Sequence, residues 1–143
     1  DLFPKDRSVY IPPVDVKDFH NTLASLSLDI AAAPLTQCLF NSGGKSPVKF
    51  CEYSALEIAT VATDIPTYSN IIKDGITGLL VRKEKYWIKA LSRLIENEEL
   101  RKTIASNAKK FVLENYLITK NIGLWERLYQ KRENLDFLQK EAK

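Results

Sequence analysis

One short stretch, NSGGKSPVKFCEY at residues 41–53, carries the residue types that could bind a phosphate. Gly43 and Gly44 have no Cβ, so backbone N–H groups beside them can approach an anion closely. Lys45 and Lys49 supply positive charge in the same stretch. Together, the glycines and the lysines predict a loop that holds an anionic group.

The same stretch runs into a helix that is expected to begin at Pro47, with Ser46 as its cap. The start of a helix offers N–H groups without partners and the positive end of the helix dipole, and both favour a phosphate. Glu52 falls within the first two turns, on the same side as Val48 and Lys49. A carboxylate there could accept hydrogen bonds from a ribose while the helix start holds the phosphates.

A simpler interpretation fits the same residues. The stretch is not a Walker P-loop, because the upstream glycine of that motif would fall at Leu39, and it is not G-x-G-x-x-G. A basic surface loop capped by Ser46, with Glu52 paired to Lys49 on the helix surface, would have the same sequence. Position favours the phosphate site, because the stretch lies between a predicted buried strand and a helix.

Strands and helices alternate through the first half of the chain. Two of the strand candidates are continuously apolar, which is typical of strands covered on both faces. The pattern predicts an α/β fold, namely a partial Rossmann-like parallel sheet with flanking helices and a helical C-terminal extension. The four strand candidates are residues 8–11, 28–35, 58–63 and 77–81.

Apolar residues at helical spacing predict the remaining elements. A helix capped by Asp15 is expected before the second strand candidate, and a short helix capped by Asp64 is expected to end at Gly75. From residue 83 onward the chain is expected to be helical, with Trp87 and Trp125 in the core. The chain is thereby divided into an α/β part, residues 1–117, and the C-terminal helical extension, residues 118–143.

Composition limits the class of protein. The chain has 143 residues, of which 45% are hydrophobic and 27% charged, so one domain with a real core is expected. A net charge of +3 permits an anionic ligand without requiring nucleic acid. Cys38 and Cys51 fit no zinc or disulfide spacing, which indicates reduced thiols. No apolar run approaches the roughly 20 residues that span a bilayer. Methionine is absent, so the chain is expected to be a piece of a longer protein.

The run FNSGGKSPVKFCEYSALEIATVATDIPTYSNIIKDGITGLLV resembles the nucleotide-sugar-binding half of retaining glycosyltransferases with the GT-B fold, family four. DIAAAPL before it and YWIKALSRLIENEELRKTIASNA after it agree in order and spacing, so the resemblance spans residues 9–116. It implies the C-terminal, donor-binding domain, with residues 1–117 as a partial nucleotide-sugar-binding domain. The full enzyme would move a sugar, with retention, from a nucleoside diphosphate sugar to a glycan or lipid-linked acceptor. Its place would be the cytoplasm, including the inner face of the membrane, in polysaccharide biosynthesis.

The resemblance also implies roles for individual residues. Glu52 matches the second Glu of the family's E-x-x-x-x-x-x-x-E motif, which binds the donor ribose. Pro13 and Val14 match a turn that lies against the nucleobase. No residue is assigned to catalysis or to a metal, and no cofactor is expected beyond the donor itself. Ser46, Pro47, Val48 and Lys49 match the loop and helix start near the diphosphate. Gly43, Gly44 and Lys45, which the residue types alone point to, complete the predicted donor-binding set.

The chain departs from the family pattern at two places. The first Glu of the motif would fall eight positions before Glu52, at Gly44, which puts the contacts to the transferred sugar in question. The family's Gly-x-Pro after the helix is replaced by Glu57, Ile58 and Ala59, so the turn there must form without the freedom of glycine.

The resemblance leaves an alternative from another class, a non-catalytic α/β binding or interaction module that keeps the fold. Gly44 in place of Glu favours it, whereas the intact stretch from Ser46 to Glu52 speaks against it. The partners expected of a transferase are a nucleotide sugar and an N-terminal acceptor domain that these residues lack, and an exposed sheet edge could allow self-association. His20, the only histidine, is expected to be solvated and without a partner.

Overall fold

A computed structural model describes the backbone of residues 6–141 and the side chains of residues 6–130. Within these residues, three parallel strands form one sheet in the order β1-β2-β3. Helices flank the sheet and continue to the end of the described chain. A short 3-10 helix, Glu84–Tyr86, precedes α5. The elements are α1 (Val16–Ser25), β1 (Ile30–Ala33), α2 (Leu39–Gly43), α3 (Val48–Ala55), β2 (Ala59–Thr63), α4 (Pro66–Ser69), β3 (Leu79–Val81), α5 (Trp87–Glu96), α6 (Glu98–Asn115) and α7 (Ile118–Glu141). The α/β class with a parallel sheet and a helical extension is therefore confirmed.

The central strand, β2, is buried on both faces. It pairs with β1 through Ala31 opposite Thr60 and with β3 through Val61 opposite Leu79, both in parallel. Residues of β2 alternate between two faces, as in any strand. Its sequence of small and β-branched residues, with Thr60 buried beside the alanines and Val61, suits this position, because neither face meets water.

Two apolar clusters cover the two faces of the sheet, and α6 contributes to both of them. Ala62 of β2 belongs to the first cluster and Val61 to the second, as their alternation requires. The first cluster also takes in Phe50 of α3, and the second includes Leu94 of α5. The α6 residues are Ala108 and Val112 in the first cluster, and Ile104 and Ala105 in the second.

The prediction of a strand at residues 8–11 is wrong. Residues 8–11 have no regular secondary structure, and the side chains of Val9 and Tyr10 are 85% and 81% exposed. The β-branched and aromatic composition of the run indicates a preference for strand, but a strand forms only where another strand pairs with it. The described sheet therefore has three strands rather than four.

The short helix after β2 also differs from the prediction. It is α4, which ends at Ser69, and Gly75 lies further on in the turn before β3. Gly75 does take the predicted left-handed conformation, with φ at 74°. The N-cap of α4 is Ile65, not Asp64 as predicted. The Asp64 carboxylate instead accepts a hydrogen bond from Nε of Arg82, at 3.1 Å.

The two tryptophans have different environments. Trp87 is half-buried and packs against the second apolar cluster, as predicted. Trp125 lies on α7 and is 53% exposed, so its predicted place in the core is wrong. Helical spacing shows that apolar residues share one face of a helix, but it does not show whether another element covers that face.

In the turn between α3 and β2, where the family has a glycine, Glu57 takes a strained backbone conformation. Glu57 has φ at 61°, in the left-handed region that L-residues other than glycine seldom adopt. Its carboxylate accepts a hydrogen bond from Nζ of Lys109 on α6, at 2.8 Å. The ion pair links the turn to α6.

We expect Glu57→Ala to be less stable than Glu57→Gly by about 1 kcal/mol, because both variants lose the ion pair and only glycine enters the left-handed region freely. Urea denaturation measures the difference. The matched control is Lys110, which is exposed in α6. There the alanine variant should be more stable than the glycine variant, because glycine weakens a helix. Equal stabilities of the two Glu57 variants would contradict the left-handed turn.

A second expectation concerns Ser54, whose side chain is fully buried in α3. Within the side chains that the structure describes, the Ser54 hydroxyl has no hydrogen-bond partner. Removing an unpaired buried hydroxyl is favourable, so Ser54→Ala should raise the free energy of unfolding by about 1 kcal/mol. Ser106→Ala, at an exposed position of α6, measures the helix propensity term alone. A gain at Ser54 no larger than that at Ser106 would argue against an unpaired hydroxyl.

Candidate functional site

The segment after β1 is held against the carboxyl edge of the sheet. The N–H of Leu35 donates to Oγ1 of Thr63, at the end of β2, over 2.9 Å. Further on, the Asn41 side chain donates to the carbonyl oxygen of Thr36 at 2.6 Å, and the Thr67 hydroxyl donates to the carbonyl oxygen of Asn41. These bonds link the segment to β2 and α4, so the start of α3 is anchored at the edge where parallel sheets bind ligands.

The two glycines of the predicted loop end a helix instead. Gly43 is the last residue of α2, and Gly44 follows it with φ at −103°. The N–H of Gly44 donates to the carbonyl oxygen of Phe40 at 2.8 Å, so this amide is already used. The expectation of an open glycine loop is therefore wrong, because the chain here forms one helical turn. Binding of a donor by Gly43 and Gly44 remains a prediction.

At position 44, neighbouring atoms rather than the backbone angles disfavour a residue with a side chain. A Cβ at Gly44 would lie 3.0 Å from the carbonyl oxygen of Phe40 and 3.2 Å from that residue's ring. A glutamate here, as in the family motif, would need Phe40 to move by a few tenths of an ångström.

The lysines and the helix start lie together at the surface. Lys45, Ser46 and Lys49 are exposed, and Lys45 Nζ is 6.0 Å from the centre of the Phe40 ring. The N-cap of α3 is Pro47, so the predicted capping by Ser46 is wrong. A proline side chain has no acceptor, and the first N–H groups of a helix have no partner within it. The start of α3 therefore keeps donors that an anion could use.

Glu52 lies in the second turn of α3, and its side chain is 21% exposed. One of its carboxylate oxygens, Oε1, is 3.4 Å from Nε2 of His20 on α1. His20 is solvated, as predicted, with its side chain 65% exposed, but the prediction that it has no partner is wrong, because its imidazole lies beside the Glu52 carboxylate. Among the described ion pairs, Glu52 is paired with His20 and not with Lys49.

Pro13 and Val14 line an open hollow of about 410 Å³ beside α1. The hollow is mainly apolar, and its wall includes Tyr10 and Phe19. Phe19 also contacts His20 edge to face, with ring centres 5.3 Å apart. Through these two neighbours on α1, the hollow at Pro13 and the carboxylate of Glu52 belong to one region.

The carboxylate of Glu52 affects the residues on either side of it. Burial, with a smaller effect from the Glu52 charge, raises the pKa of the Cys51 thiol. The same two causes, in the same order, raise the pKa of the Tyr53 hydroxyl. Both groups therefore keep their protons at neutral pH, and Cys51 lacks the thiolate character of a nucleophile.

Sequence reasoning placed Glu52 in the second turn of α3 but missed its contact with His20. His20 and Glu52 are far apart in the chain, and neither residue type nor helical spacing indicates that α1 and α3 meet there. The resulting arrangement has a helix start with lysines for an anion, a carboxylate for hydroxyl donors and an apolar hollow for a flat ring. Such an arrangement suits a nucleotide.

Comparison with known proteins gives a consistent result. The family model described as glycosyl transferases group 1 matches residues 4–111. Glycosyltransferase 1 domain-containing protein 1 of Xenopus tropicalis is 41% identical over 61 residues, covering 43% of this chain and 18% of the relative. An uncharacterized glycosyltransferase of Methanocaldococcus jannaschii is 28% identical over 78 residues, covering 53% of this chain and 20% of the relative. The match thus covers about a fifth of each relative.

Solved structures agree in fold. The C-terminal domain of a group 1 family glycosyl transferase from Francisella tularensis aligns with a TM-score of 0.60 and 24% identity, over 74% of this chain and 52% of that one. Sucrose-phosphate synthase from Thermosynechococcus elongatus aligns with a TM-score of 0.71 and 15% identity, over 92% of this chain and 31% of that one. At these identities the alignments bear on the fold, which agrees with the GT-B C-terminal domain. Since the family model covers most of the chain, this chain belongs to the glycosyl transferases group 1 family.

Proposed function

We propose that the chain is the donor-binding part of a retaining GT-B glycosyltransferase of family four. Its ligand would be a nucleoside diphosphate sugar, and the whole enzyme would transfer the sugar to a glycan or lipid-linked acceptor. The observation that carries the proposal is the position of Glu52. This mostly buried carboxylate lies one turn inside a helix that starts at the carboxyl edge of a parallel sheet.

In this proposal the donor lies along the surface formed by α1 and α3. The nucleobase would occupy the apolar hollow lined by Pro13 and Val14. The ribose would donate hydrogen bonds to Glu52, since a carboxylate only accepts them. The diphosphate would lie at the start of α3, near Lys45 and Lys49, where the helix dipole and positive charge favour it.

The chemistry that these groups offer is stabilisation of a leaving group. When the bond from the sugar to the diphosphate breaks, negative charge grows on the diphosphate. Donors and cations already arranged around that position lower the barrier, because they need little rearrangement as the charge develops. The sugar end of the site differs from the family pattern, with Gly44 packed against Phe40 where a Glu is expected.

The proposal includes an acceptor domain outside these residues. An exposed apolar row on α7 supports a surface that packs against another domain. The row includes Ile118, Ile122, Trp125, Leu128 and Tyr129.

The free edge of β1 is a second surface that another strand could cover, including that of a second copy of the chain. Within the part of the sheet that is described, β1 pairs on one side only, with β2. A cytoplasmic location, with the inner face of the membrane included, is part of the same proposal. The free thiols of Cys38 and Cys51 fit a reducing compartment. Among the described residues, no helix is long and apolar enough to cross a membrane.

We expect Glu52→Ala in the whole protein to weaken binding of the preferred nucleoside diphosphate by about tenfold or more, because hydrogen bonds to a charged acceptor are lost. Affinity for inorganic pyrophosphate, which has no ribose, should not change. Isothermal titration calorimetry measures both constants. Glu96→Ala, at an exposed position of α5, controls for the loss of one negative charge. An unchanged affinity of Glu52→Ala for the nucleoside diphosphate would refute the ribose assignment.

A further inference from the structure

We propose that His20 is a positioning residue for Glu52, which it holds in place for the ribose of the donor. The inference rests on the proposed function, because it assigns a role to the neighbour of the ribose carboxylate. His20 itself would not contact the reacting atoms. Its action would pass through the carboxylate that the ribose meets.

The first support is the geometry of the pair. His20 Nε2 lies 3.4 Å from Oε1 of Glu52, between residues on two different helices. The imidazole is 65% exposed, whereas the Glu52 side chain is 21% exposed. The carboxylate is therefore partly removed from water, and a neighbouring donor counts for more there than on an open surface.

The second support is what the contact does to a flexible side chain. Fixing the rotamers of a glutamate costs conformational entropy. A contact that restricts the carboxylate before the ligand arrives removes part of this cost from binding. A carboxylate has two oxygens, so the imidazole at Oε1 leaves acceptor capacity for a ribose hydroxyl.

The third support is a second contact of His20. Its ring packs edge to face on Phe19, with an angle of 77° between the ring planes. Phe19 lines the same hollow as Pro13 and Val14. One helix, α1, contributes both to the hollow and to the contact with Glu52. It would therefore fix the position of the carboxylate relative to a base in the hollow.

The test is a double-mutant cycle on the whole protein. ADP, GDP and UDP are titrated first to find the one that binds most tightly. That nucleotide, its 2′-deoxy form and inorganic pyrophosphate are then titrated against wild type, His20→Ala, His20→Gln, Glu52→Gln and the double variant His20→Ala with Glu52→Gln. Asn21→Ala, at an exposed position next to His20 on α1, is the matched control. Thermal unfolding of every variant shows whether the fold is kept.

We expect His20→Ala to weaken binding of the nucleoside diphosphate about twofold to fivefold, the range that fits a partly exposed polar pair. Pyrophosphate should bind as in wild type, and the preference for ribose over deoxyribose should shrink. His20→Gln should restore most of the affinity, because its amide N–H can donate from the place of Nε2. In the background of Glu52→Gln, His20→Ala should cost less than it does in wild type.

Four results would each overturn the inference. They are wild-type affinity in His20→Ala, an equal loss for pyrophosphate, no rescue by His20→Gln, and effects of the two substitutions that simply add. Failure of the proposed function looks different. In that case, Glu52→Gln itself would leave the affinity and the ribose preference unchanged, whatever His20→Ala does.

Discussion

Burial of β2 on both faces is the constraint on which the rest of the structure depends. A strand with residues such as Ala59, Val61 and Ala62 fully buried needs a layer of helix on each side of the sheet. The helix α6 contacts the apolar clusters on both faces of the sheet, through Ile104 in one cluster and Ala108 in the other. Every connection between the parallel strands must then cross from one end of the sheet to the other.

This crossing places the candidate site. The chain leaves β1 at the carboxyl edge and must return to the opposite end before β2 begins, so α3 has to start at the carboxyl edge. The positive end of α3 and the two lysines around it are thereby exposed at the edge where ligands of such sheets bind. Glu52 follows one turn later, deep enough to be shielded from much of the water. The candidate site and the core packing thus have a common origin in the same crossover.

Much of the fold could be predicted from the sequence, because strands, helix starts and turns depend on the types of neighbouring residues. Continuous apolar runs identify β1 and β2, and Pro47 marks the start of α3 within one residue. The turn after α3 was expected to lack a glycine, and the chain uses Glu57 in a left-handed conformation, paired with Lys109.

Features that depend on distant parts of the chain could not be predicted in this way. Residues 8–11 have strand propensity, but propensity does not supply a partner strand. The turn that ends at Gly43 is helical because the segment is bonded to Thr36 and Thr67, contacts that no short motif encodes. The same holds for the contact between His20 and Glu52, which joins residues that are far apart in the chain.

The most direct measurement of the central claim is calorimetric titration of the whole protein with ADP, GDP and UDP, compared with the matching nucleosides and with pyrophosphate. We predict saturable binding of at least one nucleoside diphosphate, tighter than binding of its nucleoside or of pyrophosphate, because base, ribose and diphosphate each contact a different part of the site. Absence of binding for all three nucleoside diphosphates would contradict a donor site and would favour a binding module that keeps only the fold.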